Sequence, residues 1–469
     1  MSIFYCPPTG VAADFIPFYW QGEYHVFCLR DYRNAEIHGE GTPWFHLSTR
    51  DFVNFTDHGE AIPRGAVGAQ DQWIFTGSVF ESAGVFHIFY TGHNHNLKDR
   101  PIEGVMHATS SDLKTWTKDP DFFLRAPKEY EPNDWRDPFI FQDARSGAFQ
   151  MLLAARHTTG PSRNRGCTAL LSSPDLKNWT VEAPFWSPSA YFTHECPDLF
   201  KMGDWNYLVF SEFSEGCLTR YRMSRTVDGP WRTPPGADGG ESFDGRAYYA
   251  AKTASDGHRR YAFGWLPTRH GEKDDGHFQW GGNLVVHEII QQNDGVLTVR
   301  VPHEILASFS KDTPLTPTPK LGEWRTDGAS VSCSSAGRQS ICLLGAMPAE
   351  CLIETTLNVD SVSRAGVLLR VDGNADKYYQ LRIEPARQRV VIDRWPRPGD
   401  QPFMLERPVA LRRGEPVNLK IIASGTCLVA YINDRVALSC RMYDHISGEW
   451  GVFAEDGDAQ FATCALKVR

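Results

Sequence analysis

No run in the chain approaches about 18 apolar residues, so no segment reads as a membrane-spanning helix. Positive charge is not in surplus either. Forty-eight Lys and Arg stand against 57 Asp and Glu, a formal charge of −9, with no strongly basic run. That balance suits neither a phosphate backbone nor an anionic lipid surface, so neither nucleic acid nor membrane is expected as a partner. The 11 cysteines are odd in number and never form a C-x-x-C pair. This favours free thiols in a reducing compartment over a disulfide framework or a zinc site. The start, Met1-Ser-Ile-Phe-Tyr-Cys-Pro-Pro-Thr-Gly10, has no basic n-region and no apolar h-region, so a cytoplasmic protein is expected. P-loop, dinucleotide fingerprint and nucleophile elbow are all missing, which removes nucleotide and serine-hydrolase chemistry. Over residues 1 to about 300 no uncapped 3.6-period stretch survives the Gly and Pro spacing, so long helices are hard to place there.

The chain is rich in aromatic residues, and they are ordered. Short apolar runs recur at Tyr24-His-Val-Phe-Cys-Leu29, Phe86-His-Ile-Phe-Tyr90, Phe149-Gln-Met-Leu-Leu153, Tyr207-Leu-Val-Phe210 and Tyr261-Ala-Phe-Gly-Trp265. Their composition and turn-rich flanks mark interior β-strands. The runs start 62, 63, 58 and 54 residues apart. A second pattern keeps step with them, in Ser48–Phe55, Ser110–Trp116 and Ser172–Trp179, with a degenerate copy at Ser224–Trp231. Each places Ser and Asp in a turn, then an apolar residue and an aromatic anchor. Repeats of about 50–65 residues built from short strands are propeller blades, so residues 1–305 are expected to form a five-bladed β-propeller. Residues 306–319, with the Pro/Thr stretch Ser310–Pro319, read as a linker. Alternating strands such as Cys351–Leu357, Gly366–Arg370 and Tyr378–Ile383 then predict a β-sandwich over 320–469. The expected class is all-β.

Innermost blade strands face a central channel, where ligands usually sit, and should precede each apolar run by a fixed offset. Asp14 lies ten residues before Tyr24, Asp137 twelve before Phe149 and Glu195 twelve before Tyr207. In the second repeat the same stretch is Phe75-Thr-Gly-Ser78. Three carboxylates at one level, in apolar surroundings, suit general acid–base work. Two flanking one bond are the minimum apparatus for glycoside hydrolysis.

Trp135-Arg136-Asp137-Pro138 and His194-Glu195-Cys196-Pro197-Asp198-Leu199-Phe200 resemble the paired motifs of glycoside hydrolase family 32, the invertase and fructanase family. Asp71–Ser78 is similar to that family's second-blade substrate loop. Trp280–Val286 resembles the segment closing its fifth blade, and Asn433–Leu438 with Val452–Glu455 resembles the end of its C-terminal sandwich. The resemblance implies Glu195 as acid/base, Asp137 with Arg136 as transition-state stabiliser and Asp14 as nucleophile of a retaining double displacement. Such a mechanism needs the two reacting carboxyls about 5–5.5 Å apart. It also implies Trp73, Phe75 and Trp280 as apolar walls, Ser78 and Cys196 beside the sugar, and an oligosaccharide or disaccharide substrate. No cofactor or metal is called for. His93-Asn-His95 reads as a polar loop over the funnel reaching the substrate's far end, and not as a metal pair.

The first motif departs from the family's Asn-Asp-Pro-Asn-Gly, reading Ala13-Asp14-Phe15-Ile16-Pro17, and Leu29 stands where the family often carries Gln. The carboxylate is kept while its polar neighbours are replaced, which leaves the sugar open. An arabinofuranoside or xyloside enzyme of the related propeller clan is one alternative. A glycan-binding propeller without catalysis is the other. Glu272–Gly276 reads as a solvated loop, and Asp244 as either a fourth funnel carboxylate or a turn residue.

Overall fold

A computed structural model describes residues 2–236, 238–401 and 403–469. The N-terminal part is a series of antiparallel meanders. The first comprises β1 (Val11–Trp20), β2 (Glu23–Asp31), β3 (Trp44–Thr49) and β4 (Thr56–Ile62), with a short helix α1 (Ala35–His38) between β2 and β3. The second holds β5 (Trp73–Ser82), β6 (Val85–His93), β7 (Glu103–Ser110) and β8 (Thr117–Lys118). The third holds β9 (Tyr130–Gln142), β10 (Phe149–His157), β11 (Gly166–Ser173) and β12 (Thr180–Val181). Then come β13 (Glu195–Met202), β14 (Trp205–Glu212) and β15 (Leu218–Ser224), and last β16 (Tyr249–Ser255), β17 (Arg260–Arg269), β18 (Phe278–Gln291) and β19 (Leu297–Arg300). All five apolar runs fall in the second strand of a meander. Ala12 of β1 pairs with Gly282 of β18, so the first and last meanders form one eight-stranded sheet. The first strands also touch in a cycle: β1 meets β5, β5 meets β9, β9 meets β13, β13 meets β16 and β16 meets β1.

The Ser/Asp repeat closes the first three meanders at the end away from those first-strand starts. In the turns after β3, β7 and β11, the Oδ1 atoms of Asp51, Asp112 and Asp175 each accept two backbone N–H groups at 2.7–3.0 Å. Phe52, Leu113 and Leu176 follow in the left-handed region, at φ 58°, 63° and 62°, with their side chains buried. Asp supplies the acceptor that such a turn would otherwise lack, and the apolar residue pins it to the core.

The C-terminal part is a 13-stranded antiparallel sheet system with its own buried core. Its spine is a pair of long strands, Glu350–Val371 and Glu449–Val468, joined along much of their length. Cys351–Leu357 and Gly366–Arg370 thus belong to one strand, with bulges near Leu357 and Asn358–Ser361 where the alternation breaks. Residues 306–319 are not bare linker. Lys311–Thr313 pairs with Leu466–Val468, and Thr318–Leu321 pairs with Ile341–Leu343. Val429, Tyr431 and Ala437 join a cluster with Phe263, Val285 and Val299, so the two parts share a core. Asp244 sits here. Its side chain accepts from Ser439 N–H at 2.9 Å and pairs with His287 at 3.0 Å, making it a fastener between the parts. Among the described residues no helix is long and apolar enough to cross a membrane.

Candidate active site

Every meander's first strand carries a bulge near the same end. Pairing with the second strand slips after Ala13, Phe75, Arg136, Glu195 and Tyr249. The residues that follow are Asp14, Thr76, Asp137, Cys196 and Ala250, four of them at positive φ: 47°, 61°, 51° and 50° for Asp14, Asp137, Cys196 and Ala250. Non-glycine residues pay about 1–3 kcal/mol for such a conformation, and it persists where the surroundings enforce it. A bulge breaks the up–down alternation, so consecutive residues can both face one side. The three carboxylates therefore occupy two adjacent levels, where one was expected: Asp14 and Asp137 lie in the bulge, and Glu195 lies one position ahead, level with Arg136.

These levels form the floor of a cavity of about 770 Å³. Asp14, Asp137, Glu195, Arg136, Cys196, Trp73, Phe75 and Trp280 all line it. Ser78 does not: it is buried below the bulge, and its Oγ accepts from Ile140 N–H at 3.1 Å, tying two meanders. His93 stands behind the wall, stacked on Phe75 at 4.2 Å and bonded to Glu103 at 3.2 Å, while His95 reaches the cavity.

Asp14 receives a hydrogen bond on each oxygen, from Trp265 Nε1 and Thr76 Oγ1, both at 3.0 Å. Burial first, then the charge of Asp137, pushes its carboxyl up to about 7. The two donors pull the other way, and Glu195 adds a smaller upward push. Asp137 accepts from Cys196 N–H at 2.9 Å while its own N–H donates to Thr91 Oγ1. Burial raises it to about 6, against the pull of Arg136. Glu195 is clasped from both sides, by Arg136 Nη2 at 3.0 Å and the Tyr249 hydroxyl at 2.5 Å. Burial opposes the Arg136 charge, but Glu103, Glu195, Asp137 and Asp134 outweigh it and hold the guanidinium well above its ordinary value. Cys196 is buried, and burial followed by Asp137 keeps it a thiol well above its usual range. Among the described residues no group of three or more His, Cys, Asp or Glu could hold a metal ion.

The sequence reading singles out none of Tyr249, Thr76, Trp265 and Glu103 as site residues, although Thr76 and Trp265 fall inside stretches that it marks. Tyr249 lies twelve residues before Tyr261, the same offset as Glu195 from Tyr207, but a search restricted to carboxylates passes over it. Thr76 lies ten before Phe86, as Asp14 does before Tyr24.

The model for the N-terminal domain of glycosyl hydrolases family 32 matches residues 7–299, and that for the family's C-terminal domain matches residues 325–468. The chain belongs to glycoside hydrolase family 32. It is 26% identical to the raffinose invertase of Escherichia coli over 479 aligned residues, covering 97% of this chain and 91% of that one. It is 24% identical to the sucrose-6-phosphate hydrolase of the same organism, over 93% and 88% of the two chains. The solved sucrose-6-phosphate hydrolase of Lactobacillus gasseri superposes with a TM-score of 0.76 at 19% identity, covering all of this chain and 92% of that one. This family 32 member is accordingly a glycoside hydrolase of the fructofuranosidase type, all-β, with the propeller-plus-sandwich fold of its relatives.

Proposed function

We propose that this family 32 protein removes terminal β-fructofuranosyl units from neutral sugars such as sucrose, fructo-oligosaccharides or fructan, with retention of configuration. The observation carrying this reading is the convergence of Asp14, Asp137 and Glu195 on one cavity, each held by named partners. In the first step an Asp14 oxygen attacks the anomeric C2 of the fructosyl unit. The C2–O bond breaks as Glu195 passes its proton to the leaving oxygen. In the second, Glu195 takes a proton from water, whose oxygen attacks C2 and releases fructose and the Asp14 carboxylate. Asp137, fixed by the Cys196 amide, holds furanose hydroxyls as positive charge grows on the ring. Arg136 and Tyr249 orient Glu195, and Trp265 and Thr76 orient Asp14. The five meanders, whose first strands touch in a cycle, are read as five blades over 1–305, with 320–469 as the sandwich.

Charge supports the neutral substrate. Six carboxylates line the cavity (Asp14, Asp31, Glu40, Glu103, Asp137, Glu195) against two arginines. Arg136 is committed to Glu103, Asp134 and Glu195, and Arg33 to Gln279 and the Trp280 carbonyl. A phosphorylated sugar would meet this excess of like charge, offset only in part by Arg33, whose bonds go to neutral oxygens. The test is a panel of sucrose, sucrose 6-phosphate, inulin, levan, short fructo-oligosaccharides and D-arabinofuranosides, scored for monosaccharide release. Fructose release is expected, with kcat/KM for sucrose at least about tenfold above that for its 6-phosphate. Pentose release without fructose would select the arabinofuranoside alternative, and no release from any sugar the glycan-binding one.

A further inference from the structure

Glu272–Gly276, which reads as a solvated loop in the sequence, is the tip of the β17–β18 hairpin, and its Asp274 is 4% exposed. The C-terminal part buries it. Asp274 accepts from the Tyr379 hydroxyl at 2.5 Å and from Tyr443 N–H at 2.9 Å, and Arg394 lies 3.5 Å away. The same Tyr379 oxygen accepts from the N–H groups of Asp444 and His445, at 3.0 and 3.2 Å. Four groups of the C-terminal part thus converge on one hydroxyl–carboxylate pair. A second grip holds the hairpin nearer its base. Buried Arg441 donates to the carbonyls of Leu266 and Pro267 at 2.7 and 3.0 Å.

Between the two grips, on the opposite strand, lies Trp280 of the cavity wall. Trp265, whose indole donates to Asp14, precedes Leu266 directly. Trp280 lines the cavity from the opposite strand, 6.3 Å from the Trp265 ring. Within itself the tip is braced by His270 N–H to the His277 carbonyl, Gly276 N–H to the Lys273 carbonyl, Arg269 to the Gly276 carbonyl and the stacked rings of His270 and His277. Beyond its last ladder pair, Arg269–Phe278, the hairpin leans on the C-terminal part, while Arg33 of the first meander holds the Trp280 carbonyl from the other side.

We propose that Asp274 and Tyr379 are positioning residues: the C-terminal part sets the cavity wall by gripping the hairpin that carries Trp280, and so governs substrate affinity. This rests on reading the cavity as the fructoside site. Tyr379→Phe removes the hydroxyl and leaves Asp274 half-partnered. In the full chain, KM for the best substrate of the panel should rise about fivefold with kcat within about twofold, because the catalytic carboxyls keep their own partners. Trp280→Ala should raise KM by a similar factor, and the double variant should be no worse than either single one. Tryptic cleavage after Lys273 should accelerate about tenfold in Tyr379→Phe without any substrate present. Asp274→Asn, which keeps the side chain's shape, should move KM in the same direction by less, and it serves if Tyr379→Phe does not fold. An unchanged KM in these variants, or effects of Tyr379→Phe and Trp280→Ala that multiply, would overturn the proposal. If the wild-type chain cleaves no fructoside, the activity reading fails on its own. The tryptic rates then decide this one, with equal rates overturning it.

Discussion

Asp112, in the turn closing the second meander, and Asp137, in the bulge opening the third, are the same residue type at opposite ends of neighbouring meanders. Asp112 is surrounded by donors, the Thr115 amide first and then that of Lys114, and its carboxyl is held down at about 2. Asp137 is buried beside Glu195 and pushed up to about 6. Asp51 and Asp175 follow the first pattern and Asp14 the second. A carboxylate whose charge is satisfied locally stabilises a turn and has nothing left for a substrate. One whose charge is opposed by burial and by like neighbours is ready to exchange a proton or bond to carbon. The two ends therefore contribute to stability with opposite sign. The turn aspartates help the fold above the unfolded carboxyl range near about 4, and that help is lost as pH falls toward their lowered values. Asp14 and Asp137 bind protons more tightly folded than unfolded, so their contribution is greatest below about pH 4 and falls as pH rises through 6 and 7.

The largest break in this comparison should come from Asp14→Asn and Glu195→Gln. Each should lower turnover by about 10³-fold or more while leaving the fold intact, as read by steady-state kinetics and circular dichroism. Asp14→Asn should also melt a few degrees higher than wild type at pH 8 and little differently at pH 5, since it deletes a buried charge. Near-wild-type turnover in either variant would remove that residue from the mechanism. A smaller effect concerns pH. Asp14 must be ionised to attack, so kcat/KM should fall as pH drops below about 7. The residual activity of Asp137→Asn should show that limb at lower pH, because the second-largest upward push on Asp14 is gone. A limb that stays put would detach the pH profile from this pair. The smallest effect belongs to the other end. Asp112→Ala should lower the melting temperature by about 1–2 °C and leave kinetics unchanged.

Much of this was legible before any coordinates. The five apolar runs marked the second strands, the Ser/Asp turns marked the closed ends, and offsets of ten and twelve residues led to Asp14, Asp137 and Glu195. The bulges were not legible, because a slip in strand pairing leaves no composition signature. They explain why Glu195 and Asp137 share a cavity from different levels. Tyr249 and Thr76 sit at the right offsets, but their residue types carry no charge to draw notice. Asp274 was misplaced for a related reason: a charged run says nothing about the Tyr379 hydroxyl that covers it, about 100 residues away in the chain.

The claim that Asp14 bonds to the sugar carbon can be tested directly. Glu195→Gln, incubated with an activated β-fructofuranoside and quenched in acid, should yield a peptide containing Asp14 that is heavier by one fructosyl residue, with the label lost in Asp14→Asn. Label on another residue, or an inverted first-formed fructose with no adduct at all, would contradict the account.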